Sequence, residues 1–137
     1  MPLASPQLLR FWTEMLPERE RFSAFREESA RQVLMDVADL SERNPHFDLT
    51  YLNLGQIAVD SLVGTASEFV RNTHHVKDGF GAFSVGVVAA GPVLARHAGQ
   101  EHLLSVGSGL FFDHSRPHST VRPNGGKVRN IFFPWPS

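Results

Sequence analysis

The chain has 137 residues, 42% of them hydrophobic and 20% charged, with seven histidines, no cysteine and a net charge of −1. That length is one domain, with mass enough to bury a real core. The near-balance of charge excludes the basic footprint of a nucleic-acid binder. The lack of cysteine excludes a disulfide framework and any cysteine-based zinc site or nucleophile. No basic segment followed by an apolar run opens the chain, and no stretch of about eighteen apolar residues occurs. A cytoplasmic protein with no membrane span is therefore expected.

Residues 1–16 read as an N-terminal arm, with Leu8, Leu9, Phe11, Trp12 and Leu16 able to pack onto the body. Residues 17–137 form the domain proper. Pro17 suits a first helical turn, and Glu18 and Glu20 sit at the positive end of the helix dipole. A helix is predicted from Pro17 to about Leu40, with Phe22, Phe25, Ser29, Val33 and Leu34 on its apolar face. Arg19, Arg21, Arg26, Glu27, Glu28 and Arg31 cover much of the rest; such mixed signs describe a solvated face rather than a DNA-contacting one. Ser41 to Pro45 is a loop.

From Phe47 the pattern becomes that of strands. Leu49–Val63 reads as one strand with a bulge or bend at Gly55. Ala66–Thr73 is a second, with Phe69 and Arg71 on one face and Val70 on the other. His74–Gly81 is a polar connection. Ala82–Ala90, Val93–His97 and Glu101–Val106 are the next three strands, separated by turns at Gly91-Pro92 and Ala98-Gly99-Gln100. Leu110–Asp113 and His118–Arg122 flank a polar bend at Asp113, Ser115 and Pro117. Pro123-Asn-Gly-Gly126 turns the chain into an eighth strand, Lys127–Phe133. Glycines at 91, 99 and 107 recur at intervals of eight, the rhythm of an all-β sandwich or barrel. The predicted fold is mainly β: a jelly-roll barrel of about eight antiparallel strands with the N-terminal helix packed outside.

The runs Gly81-Ala-Phe-Ser-Val-Gly-Val-Val-Ala-Ala-Gly91 and Gly107-Ser-Gly-Leu-Phe-Phe-Asp-His-Ser-Arg-Pro117-His118 resemble the small barrel of the cupin fold. More narrowly, the bend Asp113-His-Ser-Arg116-Pro117 and the helical Arg21-Phe-Ser-Ala-Phe-Arg-Glu-Glu resemble the N-terminal effector-binding domain of AraC/XylS-type transcription regulators. The resemblance runs from about Glu20 to Pro134. It implies a small-molecule effector, a homodimer, and a C-terminal pair of helix-turn-helix motifs. After Phe133 only Pro-Trp-Pro-Ser follows, so the expectation is a sensor half that reaches DNA only through a domain missing here.

The cupin resemblance also implies a metal held by a His-x-His pair, a glutamate and a third histidine. Here the glutamate position falls at Ser84 and the third histidine at His118, while no histidine stands at Lys77 to Phe80. One imidazole is too few for such a site, so no metal and no other cofactor is expected. Gly107-Ser108-Gly109 lies in a turn rather than a strand–turn–helix elbow, which argues against a serine nucleophile. His97 and Glu101 flank a tight turn and read as surface residues. The chain is expected not to be an enzyme; the alternative is a stand-alone cupin-type isomerase or dioxygenase with a degenerate metal site.

What remains is a cavity. Carried over from the cupin arrangement, Ser84, Gly86 and Val88 face inward with His118 and Thr120, and the small groups at 84 and 86 leave space. Arg71, His75 and His118 would supply the few polar contacts of a mostly apolar pocket. Phe83, Val85 and Val87 read as ordinary packing.

Overall fold

The computed structural model describes residues 7–33, 35–42 and 44–134. The described residues are mainly β, with eleven strands in two antiparallel sheets and one α-helix among them. Chain order explains most of it. Strand β1 (Gln7–Trp12) leads through a 3-10 turn (Thr13–Met15) into helix α1 (Glu18–Gln32) and then β2 (Asp36–Asp39). The hairpin β3 (Phe47–Asn53) and β4 (Ala58–Gly64) is followed by β5 (Ser67–Arg71) and a 3-10 turn at His75–Asp78. After β6 (Ala82–Ala90) come β7 (Val93–His97), β8 (Gln100–Leu104), β9 (Gly109–Asp113), β10 (His118–Arg122) and β11 (Gly126–Pro134).

The six-stranded sheet runs β1-β3-β4-β11-β6-β9 and the five-stranded sheet β2-β5-β10-β7-β8. The two face each other as a jelly roll. From β6 onward the strands match the sequence expectation within a few residues at each end, because turn residues punctuate them: Gly91-Pro92 separates β6 from β7, and Gly99, Gly107 and Gly125 adopt positive φ at 76°, 91° and 75°. Only glycine enters that region without steric cost.

Three expectations need correction. The helix ends at Gln32 rather than near Leu40, since Val33 is already extended at φ −143°, ψ 126°. The segment beyond alternates: Val37 is buried on β2 opposite Phe69 while Asp36 and Ala38 point out. That is period two, which suits a strand and not a helix. Leu34, placed on the apolar helix face, lies outside the described residues.

Next, Leu49–Val63 is two strands, not one. Gly55, at φ 95°, turns the chain, with its N–H donating to the Asn53 side chain (2.8 Å) and Leu54 N–H to the Ile57 carbonyl (2.8 Å). Finally, Val85 and Val87 lie on the outer face of β6, 46% and 40% exposed, rather than in the core. Period two sends them outward because Ser84 and Val88 are inward.

The helix is fastened to the barrel by aromatic rings. Phe25 is fully buried; its ring stacks on Phe47 with centroids 3.9 Å apart and meets Phe69 edge-on at 6.1 Å. Around them Val37, Leu49 and Leu62 complete one apolar cluster. A second, formed by Val88, Val93, Ala95, Leu110, Phe112 and Val128, closes the opposite end of the sandwich. Arg31 on the polar helix face pairs with Glu27 and Glu28, but Glu28, expected on the solvated face, is buried because its side chain turns in beneath Arg31 toward the body. Strand β1, which holds residues 7–12 of the expected arm, pairs with β3 at the edge of the larger sheet; residues 1–6 lie outside the described part.

Candidate functional site

Between the two apolar clusters the sheets enclose a cavity of about 450 Å³. Its size falls in the range of small-molecule sites. Both sheets line it, and so do Ser29 of the helix and Val33 just past its end. Exposed Gly55 and Gln56 on one side and Gly79 and Gly81 on the other border it. The cavity therefore reaches the surface between the β3–β4 turn and the loop before β6.

Strand register sets one polar band across the larger sheet. Tyr51, Asp60, Asn130 and Gly86 are consecutive cross-strand partners on β3, β4, β11 and β6. The row on one side, Leu49, Leu62, Val128 and Val88, is apolar. Asn130 donates from Nδ2 to Asp60 Oδ1 at 2.9 Å. Gly86 is what lets Asn130 lie there: a Cβ at 86 would collide with the Asn130 side-chain oxygen. Burial pushes the Asp60 carboxyl up to about 6, against the pull of the Asn130 bond and the Arg122 charge. The Tyr51 phenol is raised by burial and then by Asp60.

From the facing sheet, β10 directs His118, Thr120 and Arg122 inward at period two, and all three line the cavity. Arg122 is 7% exposed and its guanidinium carbon sits 4.7 Å from the Phe69 ring centroid. Its buried Nε and Nη1 have no hydrogen-bond partner. Burial lowers its pKa to about 10, partly opposed by Asp60.

Nearer the β9–β10 bend, His114 Nε2 lies 2.9 Å from Ser84 Oγ, and the His114 and His118 rings meet edge-on at 4.9 Å. Burial, then the neighbouring His118 and Arg71, depresses His114 to about 3. Burial also lowers His118, whose Nδ1 is 3.0 Å from the Arg116 carbonyl.

Of the residues expected to contact a ligand, Ser84, His118 and Thr120 line the cavity. Val88 is inward but fully buried within the second apolar cluster. Gly86 lies under Asn130. Arg71 and His75 point elsewhere. Arg71, 1% exposed, donates to the His114 carbonyl from Nε (2.7 Å) and to both Asp78 oxygens (3.0 and 2.7 Å), fastening the loop before β6 to the β9–β10 bend. That bonding holds the Asp78 carboxyl below its usual range. His75 is buried and accepts the Asn72 N–H at Nδ1 (3.1 Å).

Sequence reasoning passed over Asp60, Asn130, Arg122 and His114. Arg122 and His114 were within reach, since they continue the period-two faces of His118-Thr120 and Leu110-Phe112. Asp60 was hidden because β3 and β4 were read as one strand.

The residues present do not fit the metal that a cupin resemblance implies. Among the described residues no group of three or more His, Cys, Asp or Glu side chains is placed to hold one. At the positions concerned, Ser84 and His118 are accompanied by His114, whose Nε2 already faces the serine hydroxyl. The Ser84–His114 pair also makes a poor nucleophile and base. A histidine depressed to about 3 has little affinity for the serine proton, and its Nδ1 has no orienting partner. Glu101, near His97, is instead paired with Arg96 Nε at 2.8 Å on the surface.

Fold and cavity together define a cupin-like jelly roll with a hollow of small-molecule size. Its sequence matches no family profile and no curated protein. Solved structures do match. The AraC-like transcriptional activator CuxR has a TM-score of 0.82 at 18% identity, over 94% of this chain and 48% of that one. The chain thus spans about half the length of that activator. A helix-turn-helix (HTH_3) family transcriptional regulator from Vibrio cholerae matches 66% of this chain and 52% of its own, with TM-score 0.54 and 15% identity. An RmlC-like cupin from Shewanella frigidimarina matches 73% of this chain and 84% of its own, with TM-score 0.53 and 17% identity. The fold is therefore cupin-like, of the kind found in transcription regulators. Among the described residues no helix is long and apolar enough to cross a membrane.

Proposed function

We propose that the chain is the small-molecule sensing and dimerisation domain of an AraC/XylS-type transcription regulator. It would bind its effector in the barrel without transforming it, act in the cytoplasm, and reach DNA through a helix-turn-helix domain outside these 137 residues. The observation that carries this reading is the cavity of about 450 Å³ with polar groups from both sheets set in apolar walls. Well-packed interiors do not leave such hollows without a use. The likeness to CuxR over 94% of the chain supports the regulator class.

The route outward runs through the helix. Ser29 and Val33 touch the cavity while Phe25, one turn away, stacks on Phe47. A ligand that prefers one seating of α1 shifts the balance between seatings by its differential affinity. For the dimer, the outer face of the larger sheet carries exposed Val85, Val87, Phe111 and Ile131. Val85 pairs with both Phe111 and Ile131, so these form one contiguous patch. An apolar patch of that kind is where a second copy would sit.

Thermal-shift measurement on the intact chain with a broad panel of acids, sugars and amines tests the sensor reading. At least one class raises the melting temperature, and Thr120→Trp, which fills the cavity, abolishes the shift in a folded protein. A shift that survives Thr120→Trp places binding elsewhere and defeats the reading. Light scattering on Phe111→Asp tests the dimer: the expected result is a monomer, and an unchanged dimer removes that face.

A further inference from the structure

Resting on the sensor reading above, we propose that the occupant of the cavity carries a carboxylate that docks on Arg122, with an uncharged, mainly apolar body along the remaining walls. Arg122 is 93% buried by difference from its 7% exposure, lines the cavity, and has Nε and Nη1 without acceptors. A buried guanidinium with open donors is an unmet demand for an anion. A carboxylate is the anion a guanidinium meets through charge-assisted hydrogen bonds.

Asp60 is the acid nearest in the cavity, and it does not meet that demand. Its Oδ1 takes the Asn130 amide, and no ion pair within 4.0 Å joins it to Arg122. Its presence decides the charge of the ligand. One cation faced by one carboxylate accommodates a single added negative charge better than the two of a phosphate. An amine has no comparable seat, because it would set a second cation in the cavity beside the buried Arg122. Phe69 covers the guanidinium with its ring centroid 4.7 Å from the guanidinium carbon. The walls beyond, Leu49, Leu62 and Phe112, are apolar and suit a hydrocarbon or aromatic body.

Calorimetric titration of the intact chain with hexanoate and benzoate, each beside its neutral amide and its amine, tests this. The acids bind, the amines do not, and the amides bind about tenfold or more weaker, the worth of a charge-assisted hydrogen bond. Arg122→Gln brings the acids down to the affinity of the amides. Should that variant fail to fold, Asp60→Asn keeps Arg122 in place and removes the competing negative charge; acid affinity then rises several-fold while amide affinity stays where it was. Amides that bind as tightly as acids, or Asp60→Asn without effect on the acids, overturn the carboxylate assignment and leave the sensor cavity standing. Failure of every one of these molecules to bind at millimolar concentration overturns the carboxylate assignment, and the sensor reading falls as well only when no member of the wider thermal-shift panel binds.

Discussion

Asp60→Asn is the sharpest probe of the polar band. The folded protein holds this carboxyl at about 6, against an ordinary 3.8, chiefly through burial. The fold therefore prefers the protonated acid, and ionising it costs stability. Each pKa unit is worth about 1.4 kcal/mol, so the full cost is about 3 kcal/mol. That value already contains the Arg122 attraction; the buried N–H group that asparagine brings has to find a partner, which offsets about 1 kcal/mol and leaves about 2 kcal/mol. An acid whose folded pKa is raised weakens the fold as pH climbs from the unfolded to the folded value. The penalty is absent below about pH 4 and complete above about pH 6. Asparagine keeps an acceptor for the Asn130 amide without the charge. Urea denaturation should therefore find the variant more stable than wild type by about 2 kcal/mol at pH 8, or about 5–10 °C in melting temperature, with the gain vanishing near pH 4. A variant less stable at pH 8, or a gain equal at both pH values, would refute the claim that a desolvated charge sits there.

The other expectations concern the frame around the cavity. Arg71→Met leaves the His114 carbonyl and the Asp78 carboxylate without their donor and should lose about 3 kcal/mol in urea titration; Arg71→Lys should not restore it, since an ammonium cannot span both partners, and a loss below about 1 kcal/mol would contradict the bracing role. His114, depressed to about 3, should keep neutral-imidazole nitrogen shifts down to pH 4.5 by NMR. Because the unfolded chain takes up that proton near 6.5, this residue should erode stability as pH falls below about 6.5; titration of His114 near 6 would disprove its burial. Phe25→Ala, at a fully buried ring stacked on Phe47, should cost about 3–5 kcal/mol by the same denaturation assay, and a much smaller cost would mean the helix is held by something else.

The sequence by itself determined the fold class and most strands after residue 81. Their signals are local: a glycine that must take positive φ, a proline, and residues alternating between two faces. The same local rules put Phe69 and Arg71 on one face, while the inward placement of Ser84 came from the cupin resemblance. They failed where two local readings competed. Val33 to Asp39 was apolar enough to extend a helix, and only pairing with β5 made it a strand. Leu52, Leu54, Ile57 and Val59 read as one strand until the turn at Gly55 folded it into a hairpin.

What tertiary structure alone decided is the chemistry of the hollow. Tyr51, Asp60, Asn130 and Gly86 become a row through register across four strands, and Arg122 faces them because a second sheet stacks on the first. Arg71 shows the converse. Its type suggested a ligand contact, but the loop before β6 and the β9–β10 bend both reach it first. Period and turn chemistry act between neighbours in the chain, so they can be read along it. The partner of a buried charge is set by which strands lie side by side and which sheets lie face to face, and no single segment carries that information.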